Sequence, residues 1–268
     1  MPQPLARRRA AAAVLTAALL VPLAACGGGG GTDDGTDAAS KGAGSAPKAE
    51  LTVLAAASLT DAFRVAGAAY EKSHPGTRIT FSFAGSQELV SQVRQGAPAD
   101  VLVTADTRSM DGVKGETGTP AVIAKNRLVI VTGEGNPKKV DALDDLGDPK
   151  LKVVLAAPEV PAGKYSEKIL DARKITVKPV SQEPSVRAVL SKVELGEADA
   201  GLVYRTDAAS TPDKVDAVTI PDAQNAIAEY PAATLKDSRH AEAAAAFVSW
   251  LSGPEGQKIL RDAGFQKP

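Results

Sequence analysis

Twice in this chain, an apolar run typical of a strand is followed by small residues and then by the start of a helical pattern. This repeat constrains the fold more than any other feature. In the first copy the apolar run 51–54 passes through three alanines to Ser58, after which apolar residues recur at helical spacing. In the second copy the run 79–83 passes through two small residues to Ser86. Strands that alternate with helices predict an α/β fold with parallel pairing, in which ligands collect at the carboxyl ends of strands.

Both serines are predicted to lie where a helix begins. Ser58 and Asp61 together make a pattern like a capping box, and Ser86 precedes a second helical run. A helix start offers unpaired N–H groups and the positive end of the helix dipole, so it favours anions. The residues alone leave two interpretations open. The serines are either ordinary helix caps or a pair that holds one small oxyanion between them.

Residues 1–25 are predicted to be a lipoprotein signal peptide. Three arginines at 7–9 precede an apolar run at 10–20, which is too short for a comfortable membrane span. The segment ends in Leu23-Ala-Ala-Cys26, which resembles a bacterial lipobox and contains the single cysteine of the chain. A buried structural thiol does not suit a residue that precedes five glycines. We therefore expect cleavage before Cys26, a lipid on its sulfur, and a protein held at the outer face of the cell membrane.

Residues 26–49 are predicted to be a flexible tether. They are rich in Gly, Ser, Ala and Asp, and they carry too few large apolar side chains to form a core. The folded part is expected to begin near residue 50, and no cysteine follows Cys26, so disulfides cannot stabilise it. The net charge is −1 and the chain lacks a dense block of Lys and Arg, which argues against nucleic acid as a partner.

The remaining chain continues the alternation of strands and helices. Strands are predicted over 51–55, 79–83, 100–104, 126–131, 151–155, 175–180, 200–204 and 215–221. Helices are predicted over 59–72, 87–95, 165–172, 241–251 and 254–260, with one more after a Ser185 cap. Segments 110–124 and 158–163 are predicted to be loops. Asp106 is expected to be a cap or turn residue, because a carboxylate aimed at an oxyanion would repel it.

Several blocks along the chain carry a resemblance to a known family. They are 55–63 (AAASLTDAF), 83–86 (FAGS), 95–101 (QGAPADV), 104–106 (TAD), 160–165 (VPAGKY), 185–187 (SVR), 201–207 (GLVYRTD) and 229–231 (EYP). In this order they resemble the periplasmic molybdate-binding proteins of ABC importers, from about residue 50 to the end of the chain. The resemblance implies a two-lobed, periplasmic-binding-protein-like (type II) fold. Each lobe would be a largely parallel sheet flanked by helices, with crossover strands as the hinge.

The resemblance also implies how the chain divides between the lobes. Residues 50–126 would form the first part of lobe 1, residues 127–228 lobe 2, and residues 229–268 the C-terminal part of lobe 1. The lobes would close on a ligand by a hinge motion through the strands near 126–131 and 224–232.

The ligand contacts that the resemblance implies come from both lobes. By the family pattern, Ser58 and Ser86 of lobe 1 align with oxyanion contacts, as do Ala162, Val186 and Tyr204 of lobe 2. The implied function is an extracytoplasmic solute-binding protein that captures molybdate, and tungstate too, and delivers it to an ABC permease in the membrane. The protein is expected to be a monomer without a cofactor, and the molybdenum would arrive as an oxyanion with no direct bond between protein and metal.

Other functions remain as alternatives at this point. One is a binding protein for sulfate or phosphate, and another is an enzyme that acts on an oxyanion ester. An enzyme would need a base or nucleophile of tuned pKa. The chain has two histidines, His74 and His240, both in polar contexts at helix ends, and no cluster of residues with metal-ligand spacing. We therefore expect a binding protein and no catalysis.

Overall fold

The computed structural model of the chain describes residues 49–268. Its strands are β1 Ala49–Ala56, β2 Thr77–Ala84, β3 Val101–Val103, β4 Ala121–Gly133, β5 Val153–Ala156, β6 Ser181–Glu183, β7 Ala200–Tyr204, β8 Val215–Thr219 and β9 Ile227–Thr234. Its α-helices are α1 Thr60–Ser73, α2 Ser86–Arg94, α3 Thr107–Asp111, α4 Pro161–Ala172, α5 Val186–Glu194, α6 Arg205–Ala209, α7 Ala241–Ser252 and α8 Pro254–Asp262. The predicted signal peptide, most of the predicted tether, and Cys26 lie outside the described residues.

The first sheet has the order β2-β1-β3-β9-β4. Strands β2, β1 and β3 are parallel, whereas β9 runs antiparallel to both β3 and the first half of β4. Helices α1, α7 and α8 cover this sheet. Tyr70 of α1 makes edge contacts with Phe247 and Trp250 of α7, at centroid distances of 5.0 and 5.3 Å. We call this sheet and its helices the first lobe.

The second sheet has the order β8-β4-β7-β5-β6, and with its helices α4, α5 and α6 it forms the second lobe. Strands β7, β5 and β6 are parallel, and β4 runs antiparallel to β7 and β8. Each lobe thus has three parallel strands beside antiparallel crossover strands. This arrangement confirms the predicted two-lobed α/β class, and it places the antiparallel pairs where the chain crosses between the sheets.

Strand β4 belongs to both sheets. Its residues 121–127 pair with β9, and residues 128–133 pair with β7 and β8. The partner changes between Arg127 and Leu128, within the segment that was expected to form one hinge strand. The residue boundaries of the lobes stay a prediction.

In the assignment of strands and loops, three predictions were wrong. Residues 175–180 form no strand: Ile175 and Val177 pack on the core, but ladder pairing begins only with the bond from Val180 N–H to Val153 O at 2.8 Å. The predicted loop 110–124 overlaps α3 and the start of β4, because its Gly and Thr residues occupy only the middle of the segment. The second predicted loop, 158–163, ends early, since Pro161 occupies the first turn of α4, where its fixed φ favours the helix.

None of the helices in the described part of the chain is both long and apolar enough to cross a membrane.

Candidate anion-binding site

A small cavity lies between the lobes at the carboxyl ends of six parallel strands. Its empty space is about 210 Å³, including its opening to solvent. The lining residues follow β1, β2, β3, β5, β6 and β7, and they are Ala56, Ala57, Ser58, Ala84, Gly85, Ser86, Ala105, Val160, Pro161, Ala162, Val186 and Tyr204. All five residues that the sequence resemblance selected lie among them. The structure therefore brings the predicted set together, and its role as a ligand set stays a prediction.

Ser58 lies in the 3-10 turn Ala57–Leu59 between β1 and α1, and it is 3% exposed. The prediction that it caps α1 together with Asp61 was wrong. The N-cap of α1 is Leu59, without a side-chain hydrogen bond, because the short turn displaces the helix start by one residue. The Ser58 hydroxyl instead forms a hydrogen bond with the hydroxyl of Tyr230, at 2.9 Å between the oxygens.

Ser86 is the first residue of α2 and is fully enclosed. It does not cap the helix, whose N-cap is Gly85. The N–H group of Ala105, just beyond β3, donates to Ser86 Oγ at 3.0 Å. The Ser86 oxygen is the acceptor in this bond, so the bond does not use its own proton. That proton can donate into the cavity.

Ala162 and Val186 lie in the first turns of α4 and α5. Apolar side chains cannot bind an anion, but the first N–H groups of a helix have no partner within the helix. Gly163 lets α4 begin this close to β5, since a Cβ atom there would lie 2.0 Å from the carbonyl oxygen of Ala157. The cap of α5 is Ser185, as predicted, whose Oγ accepts a bond from Ala188 N–H at 3.3 Å.

Tyr204 supplies the polar group that most clearly lacks a partner. It ends β7, its side chain is 1% exposed, and its hydroxyl has no hydrogen-bond partner within residues 49–268. A buried polar group without a partner costs about 1–3 kcal/mol, so such groups call for an explanation. Burial raises the pKa of the Tyr204 hydroxyl well above its ordinary value, so the group keeps its proton as a donor.

The electrostatics of the cavity come from backbone and hydroxyl groups. Among the described residues, those that line it include no carboxylate, imidazole, ammonium or guanidinium group. The first residues of helices α2, α4 and α5 line it, so the positive dipole ends of three helices lie beside one small space, and the 3-10 turn before α1 adds Ala57 and Ser58. This set of donors suits a compact anion that carries no protons of its own.

Polar contacts join the lobes beside the cavity. Gln87 Nε2 donates to the carbonyl oxygen of Pro184 at 2.9 Å, and Lys164 pairs with Asp106 at 3.2 Å. Asp106 also caps α3, as predicted, by accepting a bond from Ser109 N–H at 2.8 Å. The structure thus describes the closed form of the cleft.

A third contact across the cleft depends on a buried carboxylate. Arg187 of α5 donates to Asp61 of the first lobe at 2.5 Å and to Asp207 of its own lobe at 2.7 Å. Asp207 is fully buried, and burial raises its pKa to about 6 against the opposing effect of Arg187. Asp207 therefore holds the guanidinium in the orientation that reaches the other lobe.

Sequence reasoning missed three residues that shape this site, namely Ala105, Tyr230 and Arg187 as a bridge between lobes. Ser58 and Tyr230 are 172 positions apart, and no local pattern links them. The blocks of resemblance did include two of these positions: Tyr230 lies within 229–231 and Arg187 within 185–187. Those blocks marked the positions without indicating what they contact.

Comparison with known proteins identifies the family. Residues 51–266 match the family model described as bacterial extracellular solute-binding protein. A molybdate-binding protein ModA of Mycobacterium tuberculosis is 44% identical over 221 residues, which cover 81% of this chain and 85% of that protein. The ModA protein of Escherichia coli is 32% identical over 82% of this chain and 90% of that protein. A putative ABC transporter substrate-binding lipoprotein of Bacillus subtilis, YvgL, is also 32% identical, over 82% of this chain and 88% of that protein.

Solved structures agree on the fold. The periplasmic molybdate-binding protein of Azotobacter vinelandii superposes with a TM-score of 0.70 at 22% identity, over 81% of this chain and 99% of that one. The sulfate-binding protein SubI of Mycobacterium tuberculosis superposes with a TM-score of 0.73 at 22% identity, over 82% of this chain and 87% of that one. The chain therefore belongs to the family of bacterial extracellular solute-binding proteins, and its resemblance to the molybdate-binding members of that family is confirmed.

Proposed function

We propose that this protein captures molybdate outside the cytoplasm and delivers it to an ABC importer. One observation carries the proposal: a cavity at six strand ends joins two serine hydroxyls, several helix N-termini and the hydroxyl of Tyr204, which has no hydrogen-bond partner within the described residues. The relatives named as molybdate-binding proteins support the choice of anion.

The donor set explains why a dianion would leave water for this cavity. A buried charge is costly unless hydrogen bonds replace its water shell, and hydrogen bonds to an ionised acceptor are about twice as strong as neutral ones. Ser58, Ser86 and Tyr204 offer three hydroxyl donors, and the first turns of α4 and α5 offer backbone N–H groups near Ala162 and Val186. Together they can serve all four oxygens of a tetrahedral oxyanion.

The same donors favour particular anions. Because most of them are part of the backbone or are buried side chains, their spacing is rigid, and anion size decides the fit. Sulfate is smaller than molybdate and would leave longer hydrogen bonds. Phosphate carries a proton near neutral pH and would need an acceptor in return. Tungstate differs little from molybdate in shape, so we propose that it binds as well.

We propose that the site performs no catalysis. General acid–base or nucleophilic chemistry needs a titratable or nucleophilic group within reach of the ligand. In the part of the chain that the structure describes, the lining side chains are those of Ala, Gly, Ser, Val, Pro and Tyr. The two serines have no base beside them, since Ser58 contacts Tyr230 and Ser86 contacts a backbone amide.

We propose a lipid anchor on Cys26 and a monomeric protein. The lipobox-like sequence supports the anchor, and so does the relative named as a substrate-binding lipoprotein. The expected partner at the membrane is a permease that recognises the closed lobes. Mass spectrometry of the protein from native membranes should find a diacylated N-terminal Cys26, and an unmodified cysteine there would contradict the anchor.

Isothermal titration of the purified protein with molybdate, tungstate, sulfate and phosphate tests the function. We expect molybdate and tungstate to bind much more tightly than sulfate, and phosphate to bind weakest. Ser86→Ala is expected to lower molybdate affinity, because the cavity loses a buried donor. Ser91→Ala is a matched control, since Ser91 is exposed on the same helix. Tighter binding of sulfate than of molybdate would contradict the proposal.

A further inference from the structure

We infer that Tyr230 is a positioning residue for the anion site: its hydroxyl donates to Ser58 Oγ and thereby directs the Ser58 proton toward the ligand. The inference rests on the proposed function, because it concerns the anion that the cavity binds. Tyr230 does not line the cavity, so its hydroxyl acts on the ligand only through Ser58.

The direction of the hydrogen bond follows from the chemistry of the ligand. The two hydroxyl oxygens lie 2.9 Å apart and both are buried, and by geometry either one can donate. A fully deprotonated oxyanion is an acceptor only, so Ser58 can bind it only by donating its own proton. The Ser58 oxygen then remains as an acceptor, and Tyr230 must be the donor. A hydroxyl that accepts a bond is also a stronger donor, because adjacent hydrogen bonds polarise one another.

The second serine shows the same arrangement with a backbone donor. Ser86 Oγ accepts a bond from the N–H group of Ala105 at 3.0 Å, and a backbone amide cannot reverse its direction. Each serine thus lines the cavity and has one protein group that donates to its oxygen. The donor behind Ser58 is a side chain, so a substitution can remove it.

The surroundings of Tyr230 hold its hydroxyl in place. Its ring is fully buried on β9. It makes edge contacts with the ring of Tyr204, at a centroid distance of 6.0 Å, and with the ring of Phe265, at a centroid distance of 5.3 Å. Strand β9 pairs with β3 and with the first half of β4, the strand that continues into the second sheet. Tyr230 therefore contacts one proposed ligand residue from each lobe, Ser58 by a hydrogen bond and Tyr204 by its ring.

Burial keeps the proton on the Tyr230 hydroxyl, so that the group can donate. Burial, followed by the charge of Asp207, raises the pKa of its hydroxyl above the ordinary value, although the hydrogen bond with Ser58 opposes the rise. The proton that it offers to Ser58 is therefore not lost at neutral or mildly alkaline pH.

A double-mutant cycle on molybdate affinity tests the inference. Titration calorimetry would compare the wild-type protein, Tyr230→Phe, Ser58→Ala and the double variant. We expect Tyr230→Phe alone to weaken binding by about tenfold, as expected for one lost hydrogen bond. In the Ser58→Ala background the same change should have no further effect, because its route to the ligand is gone.

The control is Tyr70→Phe, which removes a hydroxyl from another buried tyrosine, one packed on His74 and Phe247 in the first lobe. Its affinity should equal that of the wild type. The inference is overturned if Tyr230→Phe binds molybdate as the wild type does, or if its tenfold effect persists without the Ser58 hydroxyl. Failure of the wild-type protein itself to bind molybdate would instead remove the proposed function.

A measurement on proteins that retain Tyr230 covers the case in which Tyr230→Phe does not fold. The chain has four tyrosines, so in protein labelled with ¹³C at tyrosine Cζ, single Phe variants at 70, 165 and 204 assign the signal of Tyr230 by elimination. On addition of molybdate we expect the Tyr230 Cζ resonance to shift and its hydroxyl proton to exchange slowly enough to split that resonance in mixed H₂O and D₂O. An unshifted, unsplit Tyr230 signal in the molybdate complex would overturn the inference.

Discussion

At the scale of single residues, the properties of this site come from polar groups whose partners are fixed or missing. Ser86 is bound by a backbone amide, Ser58 by Tyr230, and Tyr204 by nothing within residues 49–268. Unpaired buried groups reduce stability, while the same groups are available to a ligand. Stability and affinity should therefore respond in opposite directions to some substitutions.

Tyr204→Phe should separate stability from affinity. The unliganded variant should be as stable as the wild type or more so, because it loses a buried hydroxyl that has no hydrogen-bond partner in the described part of the chain. Molybdate affinity should fall by roughly 10- to 100-fold, the effect of one lost hydrogen bond to a charged ligand. Thermal unfolding without ligand and titration calorimetry with molybdate would measure the two effects. A clear loss of stability in the unliganded variant would indicate that the hydroxyl has a structural partner.

Asp207 should give the protein a specific dependence on pH. Its pKa is raised from 3.8 to about 6 in the folded state, chiefly by burial, so between these values the folded protein binds more protons than the unfolded chain. The contribution of Asp207 to stability is therefore greatest below about pH 4, and it falls as pH rises through 6, by on the order of 2–3 kcal/mol.

The measurement is the free energy of urea unfolding at pH 4 to 7 for the wild type and for Asp207→Asn, which cannot titrate. The difference in stability, wild type minus variant, should decrease as pH rises over this range. Parallel pH profiles for the two proteins would show that the pKa of Asp207 is the same in the folded and unfolded states.

At the scale of elements, the site depends on where each helix begins. Six strands end at one edge, and small residues after them allow helices to start within reach of a shared cavity. Gly163 is the tightest example, since a Cβ atom there would lie 2.0 and 2.6 Å from the backbone oxygens of Ala157 and Ala156. A backbone oxygen cannot move aside as a flexible side chain can.

Gly163→Ala should therefore push the first turn of α4 away from β5. We expect a loss of roughly 1–3 kcal/mol in the free energy of unfolding, as for other overpacked core positions, together with weaker molybdate binding. Urea unfolding and titration calorimetry would measure both. Gly115→Ala is the control, because a Cβ atom at Gly115 meets nothing within 4 Å. Equal behaviour of the two variants would contradict the assigned role of Gly163.

At the scale of the whole molecule, the closed cleft brings backbone of the two lobes into direct contact. A Cβ atom at Gly85 of the first lobe would lie 2.4 Å from the carbonyl oxygen of Pro184 in the second lobe. The other close atoms belong to the flexible side chain of Gln87. The φ angle of Gly85 is −61°, which alanine adopts freely. The obstacle to a side chain there therefore arises from closure and not from the local backbone.

Gly85→Ala should leave each lobe folded and oppose closure. We expect unfolding in the absence of ligand to be close to that of the wild type, and molybdate affinity to fall by about tenfold or more, because binding must then overcome the clash. Small-angle X-ray scattering should show less compaction on molybdate addition than in the wild type. A variant that compacts and binds like the wild type would show that the close contact is absent in the liganded protein.

The local pattern of the sequence determined the alternation of strands and helices, the small residues before Ser58 and Ser86, and the caps at Asp106 and Ser185. These features depend on residues within a few positions of one another, where periodicity and capping preferences act. The five proposed ligand residues were reached only through resemblance, since nothing local distinguishes Val186 or Ala162 from any other apolar residue in a first helical turn.

Only the tertiary structure decided which groups meet. The bond between Ser58 and Tyr230 spans 172 positions, and the approach of Gly85 to Pro184 spans two lobes. It also decided that Ser58 is no helix cap, because Tyr230 binds its hydroxyl and a short 3-10 turn delays α1. Such contacts depend on how β4, which pairs in both sheets, places the two sheets beside each other, and pairing between distant strands leaves no periodic trace in the sequence of either strand.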